Sequence, residues 1–306
     1  MKPISLGSFR ERRAMKSGVL GLFRLLFVLG KPRVSLLLFI TSFTTFVYAR
    51  SLEGSGLPSL QEIIIFTVAG MLAPMGANSI NNYLDRDIDP LMKRTRNRPV
   101  AAGLIRPMVA LLLGVTLLAL SGVVFWVFFN PLASLLSITG GLYYVVVYTI
   151  LLKRRTPWST VIGGVAGSFP PLVGWAAGSG GLGLTGLLLA LVIFFWNPPH
   201  FWALAMHLRE DYERAGLPMM PIVAGASTSF TYMVVFSILT ILTMAAVSIV
   251  QHSLILAVAT LVSAVMMARA MDAIRKHGTR GALRAFKLSN PALGIFFLAL
   301  LIEAGS

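Results

Sequence analysis

Cysteine is absent from the chain. That excludes a disulfide framework, thiolate metal ligands and a cysteine nucleophile. Charge is also scarce: charged residues are 12% of 306 positions, about half the share of a soluble domain. Too few remain to cover a water-facing surface of this size. Acids are scarcest, with 11 Asp+Glu against 26 Lys+Arg. What is plentiful is apolar, 56% of the residues, which excludes disorder and a coiled coil and places the chain among integral membrane proteins.

A spanning helix takes about 20 residues. Nine apolar spans are read at about 34–50, 63–84, 107–129, 131–152, 158–178, 182–206, 229–250, 253–271 and 286–303. The expected fold is an all-α polytopic membrane bundle of about nine transmembrane helices around a cytoplasm-facing central cavity. Residues 34–303 form one transmembrane domain, and residues 1–33 a cytoplasmic N-terminal segment. The apolar stretch 19–29 is short, is interrupted by Arg24 and lacks a small-residue cleavage site. It reads as an interfacial helix rather than a cleaved signal.

Arg50 alone among the 26 Lys+Arg falls on the opposite side to the rest when the nine spans are threaded in order. By the positive-inside rule the N-terminus is cytoplasmic and the C-terminus outside, in the cell (inner) membrane. Topology and contact with anionic lipid headgroups account for the basic excess, so nucleic acid is not an expected partner. The opposite loops are short and nearly uncharged, which puts the chemistry on the cytoplasmic side or within the membrane.

Of the 11 acids, all but Glu53, Glu62 and Glu303 lie on that same side. All of these except Glu11 and Asp272 gather at the ends of spans 2 and 6. The first cluster runs from Asn78 through Asn81, Asn82, Asp85 and Asp87 to Asp89-Pro90. Asn81, Asp85 and Asp89 are spaced i, i+4, i+8 and form one stripe on a helix, with Asp87 pointing elsewhere and the helix ending before Pro90. Neighbours on such a stripe have Cβ atoms about 5–6 Å apart, close enough for carboxylates to share a hard cation such as Mg²⁺ or Mn²⁺. The stripe is about 12 Å long at 1.5 Å per residue, the reach of a diphosphate spanned by one or two ions. A solvated helix end is the plain alternative. Lys93, Arg94, Arg96 and Arg98 follow at once, and Lys153, Arg154 and Arg155 end span 4 on the same side. Arg94, Arg98, Lys153 and Arg154 suit diphosphate oxygens, while some of these charges serve only as topological anchors.

Asn81-x-x-x-Asp85-x-x-x-Asp89 resembles the first aspartate motif of the UbiA superfamily of intramembrane prenyltransferases. The string from Asn81 to Asp89, then Met92 to Pro99, is similar to the branch that farnesylates heme. Lys31-Pro32-Arg33-Val34, Ile162 to Trp175, Trp196 with Pro199-His200-Phe201-Trp202, and Asp211-Tyr212 to Pro221 carry the likeness on. Many superfamily members bear a second aspartate-rich motif on span 6. Here that stretch offers His200, His207 and Asp211, which agrees with the heme branch and leaves open whether span 6 holds a second metal.

The resemblance implies that farnesyl diphosphate and heme b react to give heme O and diphosphate, with heme b a substrate and not a resident cofactor. Asn81, Asp85 and Asp89 would hold Mg²⁺. Tyr144, Tyr148, Trp202 and Asp211 would belong to the acceptor side of the cavity, where ring faces stabilise an allylic cation. The farnesyl tail calls for a cavity open sideways to membrane lipid. His200, a histidine within a span, is a functional candidate that could ligate iron, bind a propionate or handle a proton, and these uses stay open. Heme A synthase and terminal-oxidase assembly factors are candidate partners. Another prenyl acceptor is the nearest alternative function. A secondary transporter is the alternative from another class, although no span carries a midplane charge.

Overall fold

The computed structural model describes residues 19–306, so Lys2, Arg10, Arg12, Arg13 and Lys16 lie outside the described residues. Every regular element among the described residues is helical. In chain order these are α1 (Val19–Leu29), α2 (Pro32–Leu52), α3 (Leu60–Leu84), α4 (Pro107–Phe128), α5 (Pro131–Leu152), α6 (Ser159–Ser179), α7 (Leu184–His207), α8 (Arg209–Arg214), α9 (Met220–Val223), α10 (Gly225–Val250), α11 (Leu254–His277) and α12 (Thr279–Ala304). Nine of them, α2 to α7 and α10 to α12, are long and apolar enough to cross a membrane.

The helices outrun the apolar windows at several ends. The last runs Thr279–Ala304 against an expected 286–303. The window stops short of Arg280 and Arg284, but a helix continues through charged residues wherever its backbone bonds stay satisfied. The helix α1, with 11 residues, is too short to span. Its end is docked: Leu29 is buried against Val100, Ile105 and Ala110, and the Asn82 side chain donates to the Leu29 carbonyl at 3.0 Å.

Small residues let backbones meet. A Cβ at Gly174 of α6 would lie 2.0 Å from the Ser42 carbonyl oxygen of α2. Gly76 of α3 and Gly114 of α4 face each other so closely that a Cβ on either would fall 2.7 Å from the other's carbonyl oxygen. Between these seams Phe46 stacks on Phe66 with centroids 4.4 Å apart, and Phe125 and Phe129 meet Phe66 edge-on. Arg50, the exception in the charge pattern, is paired with Glu62 at 2.6 Å.

Two local departures from α-helix position the site. Residues Tyr143–Leu152 of α5 form a π-helix, and the Lys153 N–H donates to the Tyr148 carbonyl five residues back at 2.8 Å. The wider turn brings residues four and five apart onto one face, here Tyr144, Tyr148 or Thr149, and Lys153. Such segments recur at functional sites, and nothing in the apolar run announces this one. The other departure ends α3. The regular helix stops at Leu84, Asp85 caps it, and Asp89 opens a 3₁₀ turn with Pro90. The expected helix to Asp89 is thus one turn too long. Its register survives, because the Asp85 and Asp89 N–H groups donate to the carbonyls four residues back, Asn81 at 2.9 Å and Asp85 at 2.8 Å.

Candidate active site

A cavity of about 410 Å³ lies between α2, α3, α5, α6, α7 and α12. Its polar end gathers Lys31, Asn81, Asp85, Asp89, Arg98 and Lys153. Asp85 is fully buried and Asp89 nearly so. The Asn81 amide donates to Asp85 Oδ2 at 2.8 Å and to Thr149 Oγ1 at 3.3 Å, and its oxygen accepts from Lys31 Nζ at 2.6 Å. Lys153 Nζ donates to Asp85 Oδ2 at 2.5 Å. Arg98 Nη1 reaches both oxygens of Asp89, at 2.7 and 2.8 Å. Burial pulls both ammonium groups below the usual lysine range, Lys31 most strongly. The Arg94 guanidinium lines the same end.

This polar end fits a hard cation on one specific ground. Asp85 Oδ1 is buried and accepts no hydrogen bond, a state that costs free energy unless a ligand meets it. Among the described residues no group of three His, Asp or Glu side chains could hold an ion by itself. Octahedral coordination of Mg²⁺ would therefore be completed by oxygens from a ligand and water.

The far wall is aromatic. Trp196, His200, Phe201 and Phe286 line it, with Asn197 and Asn290 as its amides. The His200 imidazole is stacked by Trp196 at 4.2 Å and Phe286 at 4.4 Å, and its Nδ1 lies 2.7 Å from Ser289 Oγ. His200 is seven residues inside the end of α7, about 10 Å along the axis from it. Tyr144 and Tyr148 stack at 5.6 Å on an intervening wall. Gly163 and Gly164 leave that passage open: a Cβ on Gly163 would meet the Tyr148 ring at 2.3 Å, and one on Gly164 the Asn197 amide at 2.5 Å.

The profile of the UbiA prenyltransferase family matches residues 38–301. The chain is 41% identical to a protoheme IX farnesyltransferase of Frankia alni over 90% of this chain and 96% of that one. The chain belongs to the UbiA prenyltransferase family. It is also 41% identical to a protoheme IX farnesyltransferase of Roseiflexus sp. (strain RS-1), again over 90% of its length, but it spans about half, 51%, of that longer relative. The solved structure of a UbiA homolog from Archaeoglobus fulgidus bound to GPP and Mg²⁺ has the same fold, with a TM-score of 0.70 at 17% identity over 90% of this chain and 99% of that one.

Within this UbiA fold the residues singled out from sequence divide. Asn81, Asp85, Asp89, Arg94, Arg98, Lys153, Tyr144, Tyr148 and His200 share the one cavity. Arg154 does not point into it. Its guanidinium is held outside by Asp87 at 2.6 and 2.7 Å and by the Leu84 carbonyl, and those bonds keep the Asp87 carboxyl below its ordinary pKa. Trp202 is fully buried on the other face of α7, packed on Tyr232 and Phe236. Two residues after His200 it is turned by about 200° at 3.6 residues per turn, so the pair could not share a wall. Asp211 is buried but off the cavity. Its Oδ2 accepts from the Arg94 backbone N–H at 3.2 Å and its Oδ1 from Arg214 at 3.4 Å, so it tethers the Arg94 loop to α8. His207, exposed, also takes no part in the wall.

Lys31 and the Trp196–Phe286 pair were not read from sequence as site residues. Lys31 belongs to one of the strings that carry the resemblance, but no role in the site was read for it. What marks it is its neighbour Pro32, which starts α2 and leaves Lys31 in a left-handed turn, φ 49°, that turns the side chain inward. Trp196 sits four residues before His200, the spacing of stacked neighbours on a helix, and this was the available signal. Phe286 comes from the distant α12, and no local pattern reveals it.

Proposed function

We propose that the chain transfers the farnesyl group of farnesyl diphosphate to a vinyl group of heme b, giving heme O and diphosphate. The observation that carries this reading is one cavity with two unlike ends: a cation-rich acidic pocket at the helix termini, and an aromatic, histidine-bearing wall deeper in the bundle. It agrees with the name of the Frankia relative matched over nearly its whole length. Mg²⁺, or Mn²⁺ in its place, would neutralise diphosphate oxygens and so weaken the carbon–oxygen bond that breaks.

The protein's own groups do the rest. Asp85, through its free oxygen, with Asn81 and Asp89 would hold the ion. Lys31, Lys153, Arg94 and Arg98 take the remaining diphosphate charge as it develops on the leaving group. The ring faces of Tyr144, Tyr148 and Phe201 shield and stabilise the allylic cation, and the apolar walls keep water from it. The vinyl π electrons form the new carbon–carbon bond. Water then adds to the resulting cation and loses a proton, which leaves a hydroxyethylfarnesyl group.

The deciding experiment supplies purified protein in detergent with farnesyl diphosphate, heme b and Mg²⁺, and follows porphyrin mass. Heme O is expected, with turnover abolished by EDTA. Prenylation of a quinone precursor while heme stays unmodified would overturn the reading in favour of another acceptor. Absence of any turnover would favour a transporter.

The proposed orientation is N-terminus cytoplasmic and C-terminus outside, in the cell inner membrane, with residues 34–303 as one prenyltransferase domain and 1–33 as a cytoplasmic segment. It rests on the near-complete segregation of the 26 Lys+Arg. Single variants Arg280→Cys and Ser306→Cys, both at exposed positions, report on it: the first should label only from the cytoplasmic face and the second only from outside. The reverse assignment would refute it. A heme A synthase or an oxidase assembly factor suits the product side, since heme O is too apolar to cross water unaided.

A further inference from the structure

The reaction proposed above consumes one water, which must arrive late and at one carbon. The seam between α6 and α7 carries groups suited to holding it. Asn197 of α7 lines the cavity, three residues from His200 and so on the same side of the helix. Ten residues separate it from His207, the last of α7, which puts it about 15 Å inside the bundle along the axis. Its amide makes no hydrogen bond among the described residues, a costly state in apolar surroundings. Gly164 of α6 makes room for it: a Cβ there would lie 2.5 Å from Asn197 Nδ2. Two further groups lie on the facing side of α6. Gly167 has no side chain, so what it presents to the cavity is backbone. Its carbonyl stands four residues before Pro171, which has no N–H to donate in the helix. Thr160 is buried and also lines the cavity, and its Oγ1 has no hydrogen-bond partner. Thr160, Gly164 and Gly167 are spaced i, i+4, i+7 and share one face of α6. That line runs about 10 Å inward from the cytoplasmic end of the helix.

A water inside a protein needs two to four polar partners. The Asn197 amide, which both donates and accepts, and the Gly167 carbonyl supply them. Their neutrality matters, because an anionic carboxylate at this depth would collapse onto the cation. We infer that Asn197 positions the water that completes the reaction, with the Gly167 carbonyl as its second partner and Thr160 as the relay to the cytoplasmic mouth. This rests on the heme acceptor proposed above and names the residues that finish its chemistry. Once the vinyl terminus has bonded to the farnesyl carbon, the positive charge lies on the vinyl carbon next to the pyrrole. A lone pair of the held water forms the carbon–oxygen bond there. The extra proton leaves along the Thr160 hydroxyl to the mouth, where the diphosphate released by the same reaction is the base that takes it. Nothing is oxidised or reduced.

Product masses test this. The full chain in detergent is turned over with farnesyl diphosphate, heme b and Mg²⁺, and the unaltered protein should give the alcohol as its main product. Without a placed water the cation instead loses a proton from the neighbouring CH₂ and closes to an alkene, lighter by one water. Asn197→Leu should lower the alcohol-to-alkene ratio about 10-fold, the worth of one ordinary hydrogen bond. Asn197→Thr, which returns a hydroxyl, should recover part of it, and Thr160→Val should shift the ratio the same way but less. Affinity for a non-hydrolysable farnesyl diphosphate analogue with Mn²⁺ should stay unchanged in all three, which separates water placement from donor binding. A wild-type product ratio in Asn197→Leu, at whatever rate, overturns the inference and leaves the acceptor reading intact. Failure of the unaltered protein to convert heme while it binds the analogue overturns the acceptor reading itself. If Asn197→Leu fails to fold, Thr160→Val decides, and an unchanged ratio in that variant counts against the inference.

Discussion

Asp85→Asn and Asp89→Asn should each lower farnesyl transfer by about 10²–10³-fold, the range seen when a group that stabilises transition-state charge is removed. Asp87→Asn should change it little. The three acids stand within five residues, yet their surroundings differ. Asp85 and Asp89 are buried on the cavity wall, and Asp85 Oδ1 has no hydrogen-bond partner. Asp87 is outside, engaged with Arg154, and an exposed pair of that kind is worth about 0–1 kcal/mol. Asp85→Asn carries a second cost. Lys153 keeps its buried position and loses its anion, a situation that destabilises by up to about 3–5 kcal/mol. Thermal unfolding should therefore be run beside activity, and the analogue titrated with Mn²⁺ followed by EPR. A folded Asp85→Asn that still binds the ion and turns over normally would remove this carboxylate from the metal site.

The spans and the acid stripe were legible because each rests on a strong local signal. Twenty apolar residues leave the backbone no alternative to a helix in lipid, and the four-residue spacing of Asn81, Asp85 and Asp89 survives even where the regular helix stops. What was not legible depended on backbone geometry or on distant partners. The π-helix of α5 moves Tyr144, Tyr148 and Lys153 onto one face although the run Tyr143 to Leu152 reads as ordinary helix. Trp202 was misassigned because its neighbours His200 and Phe201 do face the cavity, and motif proximity outweighed helix phase. Asp211 was read as an acceptor residue from its place after span 6. Its carboxylate instead completes the hydrogen bonding of the Arg94 backbone, a partner more than a hundred positions earlier. The places of Arg154, outside the cavity, and of Lys31, lining it, were hidden for the same reason: charge sign was visible in the sequence, and side-chain direction was not.

These two residues give the sharpest contrast between the two readings. Lys31→Met should lower kcat/KM for farnesyl diphosphate about 10–150-fold, which corresponds to the roughly 1.5–3 kcal/mol of a hydrogen bond to a charged group. Arg154→Met should cost little. Lys31 Nζ is 2.6 Å from Asn81 Oδ1 on the cavity wall, where a diphosphate oxygen would compete for it. Arg154 spends its guanidinium on Asp87 and a carbonyl outside, and its nearest approach to Asp85 is 4.0 Å. Methionine keeps most of the unbranched apolar stem of both side chains and removes the charged head, so the difference between the two variants reports mainly the charge. Lys31→Arg is the informative control. It keeps the charge, but the planar fork is bulkier than an ammonium and must fit a buried turn, so partial recovery is expected. Analogue affinity measured for all three variants places the effect in binding or in turnover. If Arg154→Met were the damaging change and Lys31→Met harmless, the diphosphate would have to lie on the outer side of α3, away from the cavity.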